Sequence, residues 1–289
     1  MLNLDRMTYG YELELGDIRR DRTIPNSLGT WEYAECDICN IYRPYKNVAC
    51  DPLGLDPPMG GEINIHPART IKELVTRVIN TIDWFKEQGD QPSIWCATHG
   101  HVHIHVPGLR DDVYALKRLT QYIKDNQHAA IKAAYRWVEH PDMRRTKTAY
   151  GYMKWDGGRF MPDWMSRNIL MQAMDFDDFI RIQCCGKDGV SRGRPFRYGI
   201  NTYCLKHTDT IEMRCFRSTM RDTEIFDTIR FTRDFIKEAL TDQRPIDELL
   251  RRNGYQFPAF KFDLEQWLGW EATKWPKERG KKERRYVEV

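Results

Sequence analysis

Three short segments of the chain place ionisable side chains two residues apart in sequences typical of β-strands. These segments are residues 10–15 (GYELEL), 101–105 (HVHIH) and 210–214 (TIEMR). Alternate side chains of a strand lie on opposite faces, so each segment presents its ionisable groups on one face and apolar groups on the other. A sheet that contains all three strands would have one face suited to binding metal ions and polyphosphate.

The first segment carries two carboxylates, Glu12 and Glu14. On a shared face they repel each other unless a cation or a proton lies between them. Mg²⁺ suits this position because it prefers oxygen ligands and commonly bridges carboxylates to nucleotide phosphates. The alternative interpretation, which this motif alone favours, is the solvated face of an amphipathic strand.

The second segment belongs to a cluster of histidines. Half of the eight histidines of the chain fall within seven residues, at His99, His101, His103 and His105. Such imidazoles bind zinc or another transition metal, or they donate hydrogen bonds to phosphate oxygens. Packing explains one histidine in a buried strand easily, but it explains four poorly.

The third segment joins Glu212 to Arg214, and further arginines precede it in a glycine-containing turn at Arg192, Arg194 and Arg197. A guanidinium beside a metal-binding carboxylate is suited to an anionic substrate or a transferred phosphoryl group. The alternative for this pair is a cross-strand ion pair. The same alternative applies to Glu62.

Other patterns argue against several kinds of site. Cys36 and Cys39 are spaced like zinc ligands, and Cys50 follows, but no second such pair or spaced histidine pair accompanies them, so we expect no structural zinc site. We expect the eight cysteines to be reduced thiols, with Cys204 and Cys215 packed in strands. No glycine-rich phosphate loop is present, so any nucleotide is held by other groups.

Charge and hydropathy restrict the class of protein. Forty-five Lys and Arg against 42 Asp and Glu give a formal net charge of +3, which does not require a nucleic-acid partner. The tail, residues 274–289, is basic and is either a solvated terminus or a phosphate-binding arm. The N-terminal sequence lacks a signal-peptide pattern, and no apolar run approaches the roughly 20 residues of a membrane span, so we expect a cytoplasmic protein.

Hydrophobic periodicity predicts strands alternating irregularly with helices in one globular unit over residues 1–289. The predicted strands are 7–15, 31–38, 62–65, 93–106, 179–183, 198–205 and 210–216. The predicted helices are one from Thr70 to Gly89, one that begins at Asp111 and includes Ile123, and others at 127–138, 222–240 and 245–253. This pattern indicates an α+β fold in which helices cover one face of a largely antiparallel sheet. The proline-rich stretch 42–61 is a candidate lid, and residues 140–168 show no clear periodicity.

The order of the motifs resembles the amidoligase family, relatives of glutamine synthetase and glutamate–cysteine ligase among the carboxylate–amine ligases. The resemblance covers residues 7–220, with C-terminal helices expected at 221–268 and the basic tail beyond them. It is carried by GYELE at 10–14, GEI at 61–63, GHVHI at 100–104, Arg197-Tyr198 with Asn201, and TIEMR at 210–214.

The resemblance implies the glutamine synthetase catalytic-domain fold, a curved, mainly antiparallel sheet whose concave face binds ATP and Mg²⁺ or Mn²⁺. It implies metal ligands at Glu12, Glu14, Glu62, His101 and Glu212. It implies ATP-binding residues at His103, Arg197, Asn201 and Arg214. Catalytic roles go to Arg197, Glu212 and Arg214.

The resemblance also implies the reaction. ATP phosphorylates a substrate carboxylate, and an amine attacks the acyl phosphate to form an amide. Small molecules, peptides and nucleobases are all possible substrates. The alternatives are a metal-dependent hydrolase that uses the histidines, and a non-catalytic protein that binds nucleic acid through its basic tail.

Three features depart from the family pattern. Cys39 occupies a position where serine is expected. Family members often have Ser-Pro after the second motif, where this chain has His66-Pro67. His99 and His105 are additional to the usual histidine pair, so His103 with His105 is an alternative to His101 with His103.

Overall fold

The computed structural model describes residues 2–19, 23–32, 59–92, 100–135, 160–192, 198–216 and 218–241. Several predictions lie outside these ranges: most of the strand at 31–38, residues 93–99 with His99, the lid up to residue 58, and residues 136–159. Arg194, Arg197, the three N-terminal cysteines, the helix at 245–253 and the basic tail also lie outside them.

The described strands form one six-stranded sheet. They are β1 (Thr8–Arg19), β2 (Gly29–Glu32), β3 (Met59–Ala68), β4 (Gly100–His105), β5 (Ile200–Asn201) and β6 (Thr210–Met213). Their order is β2-β3-β1-β4-β6-β5, and every neighbouring pair is antiparallel. The predicted α+β class with an antiparallel sheet is therefore confirmed.

The described helices are α1 (Ile71–Glu87), α2 (Val113–Tyr135), α3 (Asp163–Gln172), α4 (Phe176–Gln183) and α5 (Asp222–Thr241). The predictions of α1 and α5 are confirmed. Helix α1 begins after Thr70, whose Oγ1 accepts a hydrogen bond of 3.1 Å from the backbone N of Glu73. It ends before Gly89, whose φ of +85° is available to glycine at little cost.

Helices pack on the apolar face of the sheet. In β1 the side chains of Tyr11, Leu13 and Leu15 are buried in the core, and α1 contacts β1 and β3. Helix α5 contacts β4 and reaches β6, where Thr232 Oγ1 lies 3.6 Å from Met213 Sδ. Met213 is the neighbour of Glu212 in β6, so the acidic side chain is on the opposite face of the sheet.

The prediction of two helices between residues 111 and 138 is wrong, because α2 is continuous from Val113 to Tyr135. Asn126 and Gln127, at the point where the second predicted helix would begin, are buried within α2. Asn126 Nδ2 donates to the Tyr122 carbonyl at 2.9 Å. The side chain of Gln127 exchanges two hydrogen bonds with the backbone of Met161, at 2.7 and 2.9 Å. Satisfied polar groups are compatible with a helix interior.

The strand predicted at 179–183 is also wrong, since these residues belong to α4. Asp175 caps this helix by accepting a 2.8 Å hydrogen bond from the backbone N of Asp178. Buried Phe179, Ile180 and Gln183 then follow at helical spacing from Phe176.

The strand predicted at 198–205 is reduced to the two residues of β5. Asn201 Oδ1 accepts a hydrogen bond of 3.1 Å from the backbone N of Tyr203, which turns the chain away from the sheet. A short 3-10 helix, Tyr203–Lys206, follows, so Cys204 lies in this helix and not in a strand. No helix in the described ranges combines the length and apolar character that a bilayer span requires.

Candidate metal centre

The sheet register brings the ionisable residues of four strands to adjacent positions on one face. Glu12 of β1 lies opposite His101 of β4, and Glu14 lies opposite Glu62 of β3. His103 of β4 lies opposite Glu212 of β6, and Asn201 of β5 lies on the other side of Glu212. Residues that are paired across neighbouring strands lie on the same face of the sheet, so all of these side chains share the face of Glu12 and Glu14. The helices pack on the opposite face.

Glu12, Glu62 and His101 form the first of two potential ligand groups. One ligand atom from each residue lies within 4.8 Å of the others. His101 Nδ1 is 2.6 Å from Glu12 Oε2 and 3.4 Å from Glu212 Oε1. We call this set the β3-side group.

Glu12, His103 and Glu212 form the second group, again with ligand atoms within 4.8 Å of one another. His103 Nε2 is 2.7 Å from Glu12 Oε1 and 3.9 Å from Glu212 Oε1. We call this set the β6-side group. The two oxygens of Glu12 therefore approach different histidines, and Glu12 belongs to both groups.

Glu212 is held by three donors. Its Oε2 accepts from Asn201 Nδ2 at 2.7 Å and from Cys204 Sγ at 3.1 Å. Its Oε1 accepts from Arg214 Nη1 at 2.5 Å. Burial raises the pKa of Glu212, but the positive charges of Arg214, His103 and His101 together outweigh this and lower the pKa to about 2. The carboxylate is therefore charged and fixed in orientation although its side chain is only 2% exposed.

The charges of Glu12 and His103 depend on each other. Burial raises the pKa of Glu12, but His103 and then His101 lower it well below its ordinary value. Burial lowers the pKa of His103, but the negative charges of Glu12 and Glu212 raise it to about 9. At neutral pH the metal-free centre thus has an imidazolium beside two carboxylates. A metal ion that binds His103 Nε2 must displace that proton.

The residues fit a divalent cation. His103 Nε2 is buried and lies 2.7 Å from Glu12 Oε1, so in the metal-free protein the proton of the imidazolium is held between these two atoms. A divalent cation can take the place of that proton, because the imidazole nitrogen and the carboxylate oxygens are all suitable ligands for it. Carboxylate oxygens suit Mg²⁺, and the two imidazoles also suit Mn²⁺.

The structure places three predicted site residues in positions other than those that their predicted roles suggested. His103, predicted to bind ATP, belongs to the β6-side group. Glu14, predicted as a metal ligand, is fully buried next to the β3-side group but belongs to neither group. Arg214 is buried, directly follows β6 and pairs with Glu212, which is closer to the alternative ion-pair interpretation than to a guanidinium that faces a substrate.

Of the other predicted histidines, His66 and His105 are described, and both lie outside the two ligand groups. His105 Nε2 pairs with Asp209 Oδ2 at 3.2 Å, and His66 is in neither group. The structure thus places the pair His101 and His103, rather than His103 and His105, among the carboxylates. Arg197 is outside the described residues.

Two residues near the centre were missed by the sequence interpretation. Cys204, interpreted as strand packing, donates its thiol to Glu212. Thr210, for which no role was predicted, makes a 2.9 Å hydrogen bond with His103 Nδ1. The signal for Thr210 was its position two residues before Glu212, which places it on the same strand face.

A scan against protein-family models finds no match for this chain, and a search of curated proteins finds none either. The fold and the centre therefore define the chain only as an α+β protein with a six-stranded antiparallel sheet and a cluster of glutamates and histidines on one face.

Proposed function

We propose that this chain is an ATP-dependent carboxylate–amine ligase with a glutamine synthetase-like catalytic sheet. The observation that carries the proposal is the convergence of five residues that were selected from sequence motifs far apart in the chain. Glu12, Glu62, His101, His103 and Glu212 come from four strands and form two adjoining groups.

The strand order supports this function because it surrounds the shared residue with the others. β1 carries Glu12 at the middle of the centre, with β3 on one side and β4 then β6 on the other. A triphosphate needs several positioned positive charges, and two adjacent cation sites meet that need without a glycine-rich loop.

The two groups would each hold one cation, with Glu12 shared between them. Bound Mg²⁺ or Mn²⁺ would neutralise the polyphosphate and lower the barrier to transfer of the γ-phosphoryl group. The chain itself contributes fixed carboxylates: Asn201, Cys204 and Arg214 hold Glu212 so that little reorganisation is needed when the ligands of the centre change.

In the proposed reaction, a substrate carboxylate oxygen attacks the γ-phosphorus of ATP, and ADP leaves. An amine nitrogen then attacks the acyl carbon, and inorganic phosphate leaves as the C–N bond forms and the amine loses a proton. Arg214 would act chiefly by orienting Glu212. Arg197 stays the candidate for phosphate contact on the basis of the sequence.

The direct test is ADP release with Mg²⁺ and ATP in the presence of pooled carboxylates and amines. Hydroxylamine serves as a general amine, because it converts an acyl phosphate to a hydroxamate that is detected separately. We expect ADP and hydroxamate from the parent and at least a hundredfold less from Glu12→Gln and Glu212→Gln. Glu87→Gln, on the exposed end of α1, is the matched control. Unchanged turnover in both centre variants would refute the site, and ADP without hydroxamate would refute the ligase.

The second candidate is a metal-dependent hydrolase, and the observation that favours it is the pair of imidazoles among the carboxylates. Nitrogen ligands favour Zn²⁺ and Mn²⁺ over Mg²⁺. This function predicts tight binding of a transition metal and hydrolysis that does not depend on ATP. Assays with Zn²⁺ or Mn²⁺ in the absence of nucleotide distinguish it from the ligase.

A further inference from the structure

A short chain of hydrogen bonds links His103 to the backbone of the 3-10 helix that precedes β6. His103 Nδ1 lies 2.9 Å from Thr210 Oγ1, which in turn lies 2.7 Å from Thr208 Oγ1. Thr208 Oγ1 donates to the carbonyl oxygen of Cys204 at 3.0 Å. We call these three bonds the threonine relay.

The direction of the threonine relay follows from counting protons. The Cys204 carbonyl only accepts, so the single hydroxyl proton of Thr208 points to it. Thr208 Oγ1 must then accept from Thr210, which uses the single hydroxyl proton of Thr210. Thr210 Oγ1 is therefore an acceptor toward His103, and the proton between them belongs to His103 Nδ1.

We infer that Thr210 and Thr208 are positioning residues. They hold neutral His103 as the tautomer that is protonated at Nδ1, which leaves Nε2 able to bind a metal ion. This inference deepens the proposed function and rests on it, because it takes the β6-side group as a cation site. Nε2 then lies 2.7 Å from Glu12 Oε1 within the β6-side group, where a cation can bind both atoms.

The orientation of the His101 ring shows why the tautomer of His103 matters. His101 approaches Glu12 through Nδ1, whereas His103 does so through Nε2. Adjacent histidines on one strand face thus present different ring nitrogens to the shared carboxylate. For His103, the opposite tautomer would place a proton where the metal binds and would leave Nδ1 and Thr210 without the bond that the relay supplies.

The test is ¹⁵N-histidine NMR of the full chain saturated with Mg²⁺, with the His103 signals assigned by comparison with His103→Gln. We expect a protonated, pyrrole-like Nδ1 and an unprotonated Nε2 in the parent. In parallel, Mn²⁺ affinity is measured for Thr210→Val, Thr210→Ser and Thr208→Val. Thr81→Val is the control, because Thr81 is buried in α1, away from the centre, and its hydroxyl donates to the Arg77 carbonyl of its own helix at 2.9 Å.

We expect Thr210→Val to weaken Mn²⁺ binding by about tenfold or more, as is usual for groups that orient a metal ligand, and Thr210→Ser to restore it. Thr208→Val should produce a smaller loss and a mixture of tautomers, since the Thr210 hydroxyl becomes free to donate to Nδ1. If Thr210 only packed against its neighbours, Thr208→Val would change neither the Mn²⁺ affinity nor the tautomer of His103, because this variant leaves Thr210 in place.

A proton on Nε2 of His103 in the Mg²⁺-saturated parent would overturn the inference. So would Mn²⁺ binding by Thr210→Val as tight as that of the parent. If Thr210→Val fails to fold, the parent spectrum and Thr208→Val still decide the question. None of these measurements uses ATP or a substrate, so a negative ADP assay refutes the proposed function without deciding the state of the relay.

Discussion

Glu12 and His101 face each other directly across the β1–β4 ladder, and the His101 Nδ1 to Glu12 Oε2 distance is 2.6 Å. The second oxygen of the same carboxylate approaches His103, two residues further along β4, at 2.7 Å. Glu12, on β1, thus belongs to both ligand groups. Because of this sharing, substitutions at the centre should affect metal binding unequally.

We expect Glu12→Gln to weaken both Mn²⁺ sites and Glu62→Gln to weaken only the β3-side group. Each affected site should lose at least tenfold in affinity, about 1.4 kcal/mol, because an amide is a poorer ligand than a carboxylate. Mn²⁺ titration followed by electron paramagnetic resonance counts the bound ions. Equal losses of both sites in the two variants would show that Glu12 is not specifically shared, and Glu87→Gln should bind Mn²⁺ as the parent does.

The pH dependence of stability should reveal the charge of His103 in the metal-free protein. Its pKa in the folded state is raised to about 9, from an ordinary value near 6.5. The stabilisation is therefore complete below about pH 6.5 and is lost as the pH rises through 9, with a magnitude of about 3 kcal/mol at most. Urea unfolding of the parent and of His103→Gln at pH 6 to 10 measures it.

The difference in unfolding free energy between the two proteins, not the parent curve alone, is the relevant quantity, because buried thiols also ionise at high pH. Burial raises the pKa of Cys215, for example, so its ionisation on unfolding lowers stability in both proteins. A difference that stays constant from pH 6 to 10 would contradict the prediction. Saturating Mg²⁺ should make this difference in unfolding free energy depend less on pH, since the cation takes the place of the proton on His103.

The strands of the centre were predictable because their signal is local. Charged and apolar residues alternate over five or six positions, and alternation with period two identifies both a strand and its faces. Glu12, Glu212 and the histidines could be assigned to one face for this reason. The register between strands is not local, and only the structure shows that Glu12 meets His101 and His103 while Glu14 belongs to neither group.

The wrong predictions lie in segments where a hydrogen bond between a polar side chain and the backbone determines the backbone conformation. Residues 179–183 were predicted as a strand, but they belong to a helix that is capped by Asp175. The side chain of Asn201 ends β5 and begins the turn that carries Cys204 to Glu212. The threonine relay depends on that turn, so it was not apparent from the spacing of residues 208 and 210.

Gly100 should be required at the start of β4. A Cβ atom at this position would overlap the hydroxyl and ring of Tyr11. We expect Gly100→Ala to lower the free energy of unfolding by about 1–3 kcal/mol. Tyr11→Phe should be neutral or stabilising, because the buried hydroxyl has no hydrogen-bond partner among the described residues.

The double variant Gly100→Ala with Tyr11→Phe should be less destabilised than the sum of the single changes, because removal of the hydroxyl makes room for the methyl group. Urea unfolding of the four proteins completes this cycle. Strictly additive effects would show that the clash is relieved elsewhere, for example by movement of the backbone of β4.

Arg214 should contribute to stability through Glu212, and a bound cation should compensate for its loss. Breaking a buried ion pair by removing one partner typically costs about 3–5 kcal/mol, so Arg214→Met should be strongly destabilising in metal-free protein. Arg181→Met is the control: Arg181 pairs with Asp178 at 2.8 Å but is 62% exposed, and such surface pairs are worth about 1 kcal/mol or less.

Mg²⁺ should restore part of the stability of Arg214→Met, because the cation neutralises the same carboxylate, and should leave Arg181→Met relatively unaffected. Thermal or urea unfolding with and without Mg²⁺ measures both effects. Equal destabilisation of the two variants would refute the role of Arg214 as the counter-charge of Glu212. If Arg214→Met is strongly destabilised and Mg²⁺ restores none of its stability, Glu212 does not bind the cation. A metal ion that binds the unpaired carboxylate of the folded protein would stabilise the variant.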